Sequence, residues 1–295
     1  MRSFLVLSLA MAGPLVAQQR PDSLRSRLQA RIAQAPPGAV VGLYFHSLAG
    51  TDSLLLNARD RFHAASTMKV PVMIQLFRDA DAGRLRLDDS LPVTATFTSI
   101  FDGTPYDVSR DDDSDSSLYA LVGKRVRVRD LLELMITVSS NLATNNLIAQ
   151  VGAERANRTA HELGADSIVV LRGVEDGKAY RAGMNNTTTA RDLGVLLAAI
   201  AQSRAASAAS CRDMLAILGR QHFTEGIPAG LPPGARVEHK TGEIPGVVYH
   251  DAAIVTPARG NPYVLVVLTR GIERPNVAYQ LVADLSRFVY QAKAQ

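Results

Sequence analysis

The order of hydrophobic periods along the chain limits its fold more than any single residue does. Both ends read as strands with one helix each, and the middle reads as helices. Leu24, Leu28 and Ile32 recur at a helical spacing within residues 20–35, and Pro36-Pro37-Gly38 ends that segment. Ala39 to Ser47 and Ser53 to Leu56 are apolar and β-prone around Ala49-Gly50-Thr51-Asp52, which predicts a hairpin. Val237 to Gly242, Val247 to Thr256 and Tyr263 to Thr269 predict three more strands, and Pro275 to Lys293 a closing amphipathic helix. Between these ends, helical patterns cover 70–82, 129–138, 142–151, 153–163, 190–202 and 210–218. Pro71 suits the first turn of the first of them, and Gly83 ends it. The simplest packing is an α+β fold in which both chain ends join one antiparallel sheet with flanking helices. The helical block is then an insertion. The expected division is a sheet lobe of residues 20–62 and 220–293 and a helical lobe of residues 63–219, within one domain of residues 20–293.

The N-terminus carries a different signal. Arg2 precedes the apolar stretch Phe4 to Val16, broken at Gly13-Pro14, and Leu15-Val16-Ala17 precedes Gln18-Gln19. This predicts a signal peptide over residues 1–17, and an exported, periplasmic or secreted protein without stable membrane insertion after cleavage. Cys211 is the single cysteine, so stability must come from a packed core without an internal disulfide, and Cys211 is expected within it. The net charge of +4 is dispersed and no basic stretch is interleaved with aromatics, which argues against nucleic acid as a partner. The six histidines are scattered, and no Cys/His group has metal-ligand spacing. Asp111-Asp112-Asp113-Ser114-Asp115 resembles part of a calcium loop but lacks the glycine and distal glutamate, so residues 102–117 are expected to be a solvated loop. No metal, no cofactor and a monomer are the resulting expectations.

Four stretches can carry chemistry. Ser66-Thr67-Met68-Lys69 puts a hydroxyl and an amine three residues apart at a helix start. A serine needs an adjacent base to act as a nucleophile, and a desolvated lysine can be that base. Ser139-Ser140-Asn141 puts a hydroxyl and an amide at a helix break. Ser139 can pass a proton to a leaving nitrogen, and Asn141 can bind a substrate amide carbonyl. Lys240-Thr241-Gly242 falls on a predicted edge strand, where Lys240 and Thr241 can hold a carboxylate and Gly242 admits a ligand backbone. The amide N–H of Glu243, with that of Ser66, can form an oxyanion hole. Arg172-Gly173-Val174-Glu175-Asp176 offers two acids, either of which can activate a water against an acyl-enzyme. Alone, each stretch also fits a helix start, a cap or a surface turn.

Together, in this order, the S-x-x-K, S-x-N and K-T-G stretches resemble the set of class A β-lactamases and the related penicillin-recognising serine hydrolases. The resemblance covers residues 20–293 and extends to neighbours such as Phe62-His63-Ala64-Ala65 and Thr187-Thr188-Thr189. It implies a β-lactamase-like fold and a small-molecule β-lactam as substrate. It implies Ser66 as the acylated nucleophile, Lys69 as its activating amine and Ser139 as the proton shuttle. Asn141 would bind the acylamide side chain, Lys240 and Thr241 the carboxylate, and Glu243 would offer its N–H. Two departures stand out. Ser140 occupies the place where the family usually has Asp, and the usual Glu-x-x-x-Asn pattern is missing from the acidic loop, leaving Glu175 and Asp176 both in view. Three functions follow: a β-lactamase, a D-alanyl peptidase or esterase with slow β-lactam turnover, and a β-lactam-binding protein that stays acylated.

Overall fold

A computed structural model describes residues 23–293; the expected signal peptide over residues 1–17 lies outside them. The chain opens with α1 (Leu24–Ile32), capped by Ser23, and the hairpin β1 (Val40–Ser47) and β2 (Ser53–Leu56). A short strand β3 (Phe62–His63) leads into a 3₁₀ turn over Ala65–Met68 and then α2 (Lys69–Asp81). The next segment holds β4 (Ser90–Pro92), β5 (Thr96–Thr98), β6 (Pro105–Asp107) and β7 (Arg125–Arg127). Helices α3 (Val128–Thr137), α4 (Asn141–Val151), α5 (Ala153–Glu162) and the short α6 (Gly177–Arg181) follow. After β8 (Thr187–Thr188) come α7 (Ala190–Ala201) and α8 (Ala208–Leu218). The chain closes with β9 (Arg236–Ile244), β10 (Val248–Thr256), β11 (Tyr263–Arg270) and α9 (Pro275–Lys293).

The two chain ends meet as the period pattern requires. β2, β1, β11, β10 and β9 form one five-stranded sheet in that order, and all four pairings are antiparallel. Side chains of a strand alternate between faces, so each strand feeds two cores. In β11, Val264, Val266 and Leu268 join the core of the helical block, while Tyr263, Leu265 and Val267 pack with α1 and α9. Burying each such side chain stabilises the fold by about 1.5–3 kcal/mol. Helix α7 lies directly on the sheet, and Gly194 permits this because a Cβ there would meet the Tyr44 ring at 2.2 Å. No helix of the described residues is long and apolar enough to cross a membrane. Cys211 is buried in the helical core.

Helix α2 is the platform of the site. Every residue from Lys69 to Phe77 is buried, as expected of a helix that is apolar on nearly all sides. The segment 102–117 is largely exposed, as expected, but it is more ordered than a plain loop. It pairs β6 against β5, forms a 3₁₀ turn over Arg110–Asp112, and turns the Asp113 carboxylate inward onto α4. Local polarity hid this, because the partners of Asp113 lie almost thirty residues ahead.

Candidate active site

Strand β3 and its partner β8 set the approach to Ser66. Ala64 donates its N–H to Asn186 O at 2.8 Å, and Ala65 donates its N–H to His63 Nδ1 at 3.0 Å. Ala65 then takes a left-handed conformation at φ +45°, which turns the chain sharply into the Ser66 turn. Edge strand β9 runs against this turn. A Cβ on Gly242 would lie 2.9 Å from Thr67 Cγ2 and 3.0 Å from Thr67 N. The turn carrying Ser66 thus itself requires a glycine at position 242.

Ser66, Ser139, Asn141, Glu175, Thr241 and Glu243 line one cleft of about 720 Å³. Lys69 and Lys240 lie beneath its floor, each with no exposed surface. Their amines converge on Ser139. Lys69 Nζ donates to Ser139 O at 2.7 Å and to Ser139 Oγ at 3.1 Å, and Lys240 Nζ donates to the same Oγ at 3.0 Å. Lys240 also donates to Thr241 O at 2.9 Å. Burial lowers the Lys69 pKa to about 7, against the opposing pull of the Asp113 and Glu175 charges. Burial, and then the charge of Lys69, hold Lys240 well below the ordinary lysine range. Among the described residues the Ser66 hydroxyl makes no hydrogen bond, and the Lys69 amine points to Ser139 and Asn141. Such contacts commonly tighten only when substrate is bound.

Asn141 bridges this base to an acid. Its Oδ1 accepts from Lys69 Nζ at 3.0 Å, and its Nδ2 donates to Glu175 Oε1 at 2.9 Å and to Asp112 O at 3.3 Å. A cation on one side and a carboxylate on the other fix the orientation of the amide. Glu175 opens on the cleft, yet partial burial of its carboxylate, and then the Asp112 charge, raise its pKa. Asp176 is oriented differently. Its carboxylate accepts from Ala179 N at 3.0 Å as the cap of α6, from Ser99 Oγ at 2.9 Å and from Ile100 N at 3.0 Å. Of the two acids, Glu175 alone has its carboxylate joined to the Lys69 cluster.

Both Ser139 and Glu175 adopt positive φ, at +58° and +62°. Such strain persists where neighbours over-determine the conformation, and it concentrates at functional sites. The supports are visible. Asn145 accepts from Val174 N at 2.7 Å and donates to Val174 O at 2.9 Å, and a Cβ on Gly173 would reach 2.4 Å from Asn145 Oδ1. Asn186 accepts from Leu171 N and Arg172 N. The sequence places Asp113 in a solvated aspartate run and gives these asparagines no part in the site, because their contacts are non-local and follow no spacing rule. Glu243 presents its side chain to Tyr279, whose hydroxyl donates to Glu243 Oε2. Among the described residues no group of three or more His, Cys, Asp or Glu can hold a metal ion.

This arrangement joins a serine on the cleft, a buried lysine whose pKa is lowered to about 7, a hydroxyl between two amines and a cleft carboxylate, which together suit acyl transfer. The model of the beta-lactamase enzyme family matches residues 23–292. Beta-lactamase 1 of Streptomyces cacaoi is 29% identical over 157 residues, or 51% of this chain and 48% of that protein. The chain thus spans about half the length of that curated relative. Among solved structures, PBP-A is 30% identical with a TM-score of 0.77, covering 97% of this chain and 98% of that one. A variant of PBP-A is known as an acyl-enzyme with penicillin G. The beta-lactamase of Sphaerobacter thermophilus is 28% identical with a TM-score of 0.78, covering 91% of this chain and 96% of that one.

Proposed function

The chain belongs to the beta-lactamase enzyme family, and from that premise we propose that it is a serine hydrolase of class A type that opens the amide of β-lactams through a Ser66 acyl-enzyme. Ser66 Oγ attacks the lactam carbonyl carbon and gives its proton to neutral Lys69. The N–H groups of Ser66 and Glu243 stabilise the oxyanion. The C–N bond breaks as the lactam nitrogen takes the Ser139 proton, which Lys69 or Lys240 replaces. Thr241 and, through Ser139 and Thr241, the buried Lys240 set the field for the substrate carboxylate. Glu175 then takes a proton from a water that attacks the ester carbonyl, and the ester C–O bond breaks as Ser66 Oγ takes that proton back from Glu175. Asn141 aligns Lys69 with Glu175 and offers its amide to the acylamide side chain.

The observation that carries this reading is the path Lys240–Ser139–Lys69–Asn141–Glu175, each link a hydrogen bond of 2.9–3.1 Å. Export, a monomeric state and the two-lobe division with its boundary at residues 62 and 220 belong to the same proposal. The test mixes the protein with a chromogenic cephalosporin and follows colour and intact mass together. Sustained turnover without a lasting adduct is expected. A single burst with a persistent Ser66 adduct supports instead a β-lactam-binding protein, a reading favoured by the likeness to PBP-A. Ester or D-alanyl peptide cleavage with neither colour nor adduct supports the peptidase or esterase reading.

A further inference from the structure

The helix that carries Asn141 starts without an acid of its own. Its first amides belong to Asn141, Leu142 and Ala143, and each needs an acceptor from outside the helix. Ser140 Oγ accepts from Ala143 N at 3.2 Å. Asp113, from the segment 109–117, supplies the rest. Its Oδ1 accepts from Asn141 N at 2.9 Å, and its Oδ2 accepts from Leu142 N at 2.8 Å, from Tyr119 OH at 3.1 Å and from Ser140 Oγ at 3.3 Å. A carboxylate at a helix N-terminus is further favoured by the helix dipole. The residues beside Asp113 hold the same turn. Asp112 O accepts from Asn141 Nδ2 at 3.3 Å, and Ser114 Oγ donates to Val138 O at 2.6 Å. Between those anchors sits Ser139 at φ +58°.

We propose that Asp113 is a positioning residue for the reaction: its carboxylate fixes the turn Ser139-Ser140-Asn141, and through it the Asn141 side chain that joins Lys69 to Glu175. The proposal rests on the acyl-enzyme reading above. Asp113 acts from outside the motif where the family usually keeps its acid, and Ser140, in that place, donates its hydroxyl to Asp113 Oδ2. Its charge also reaches Lys69. The charged groups facing Lys69 are Asp113 from this segment, Glu175 from the acidic loop and Lys240 from β9. Removing the Asp113 charge must lower the affinity of Lys69 for its proton, so the neutral amine persists to lower pH.

The test compares the wild type with Asp113→Asn, Ser140→Asp and the double variant. Acylation by a chromogenic cephalosporin and phosphonylation by a fluorophosphonate are timed across the pH range, with thermal melts as folding controls. Asp113→Asn is expected to slow acylation by about tenfold at pH 8 and to shift the acid limb of the rate profile to lower pH. A purely structural role would leave that limb in place. Ser140→Asp alone is expected to be as harmful, because it sets two carboxylates against each other. The double variant is expected to recover to within about threefold of the wild type, since one carboxylate is restored to the helix start. A wild-type rate and limb in Asp113→Asn, or a double variant as slow as the two losses combined, overturns the proposal. Should Asp113→Asn fail to fold, an unimpaired Ser140→Asp overturns it equally. If only the fluorophosphonate labels wild-type Ser66, the β-lactam reading fails, and the phosphonylation rates still decide the role of Asp113.

Discussion

Glu175 and Asp176 are adjacent acids with opposite surroundings, and their chemistry should separate accordingly. The carboxylate of Asp176 is engaged by three donors on α6 and the β5–β6 hairpin. Glu175 keeps a carboxylate open to the cleft and, among the described residues, accepts one hydrogen bond, from Asn141. Glu175→Gln preserves that bond and removes the base. It is expected to lower kcat by about 10²–10⁴-fold while Ser66 still acylates, so the acyl-enzyme accumulates in intact-mass spectra. Turnover at the wild-type rate would place the deacylating base elsewhere. Asp176→Asn should leave no trapped adduct. It is expected instead to lower stability by about 1–3 kcal/mol, read as a shift in urea midpoint, because two backbone amides and a hydroxyl lose a charged acceptor.

At the scale of elements, the close pass of β9 across the Ser66 turn constrains the site directly. Gly242→Ala would set a Cβ against Thr67, including its backbone nitrogen, so the turn and the strand must separate. The expected cost is about 1–3 kcal/mol of stability, with a loss of about 10²-fold in acylation rate because Ser66 and the Glu243 amide move apart. Gly242→Ala acylating at the wild-type rate would show that the pass can relax without moving Ser66. The long elements were readable because period and breakers are local properties: α2, α9 and the five sheet strands lie within a few residues of their expected bounds. The two- and three-residue strands β3 to β8 were too short to show a period. Asp113 was hidden for a related reason. A run of aspartates looks solvated in sequence, and only tertiary structure places one of them at the start of a helix. The choice between Glu175 and Asp176 likewise depends on backbone direction at one left-handed residue, which two adjacent acids do not encode.

For the whole molecule, the joint between the Ser66 turn and the sheet contains a histidine that should make stability depend on pH. His250 is buried in β10; its Nε2 donates to His63 O at 2.9 Å and its Nδ1 accepts from Thr269 N at 3.1 Å. These partners require the neutral ring. Burial lowers its pKa from 6.5 to about 4. Between those values the unfolded chain binds a proton that the folded chain refuses. The contribution of His250 is therefore fully present above pH 6.5 and is lost as pH falls toward 4. From pH 6.5 to pH 5 the loss is about 2 kcal/mol. Burial and the nearby Arg172 lower His63 in the same direction. Lys69 acts in another window: its folded pKa of about 7 lies below its ordinary 10.5, so stability rises with pH between those values, and the lysine is protonated in both states at pH 5–6. Glu175, Asp192 and Glu238 are held above the ordinary carboxylate range and oppose the histidine slope. The diagnostic quantity is thus the difference between two proteins. His250→Asn should be less stable than the wild type at pH 7.5, and its urea midpoint should fall less between pH 7.5 and pH 5. Parallel midpoint curves for the two proteins would mean that His250 titrates alike in the folded and unfolded chain, and that the joint tolerates the charged ring.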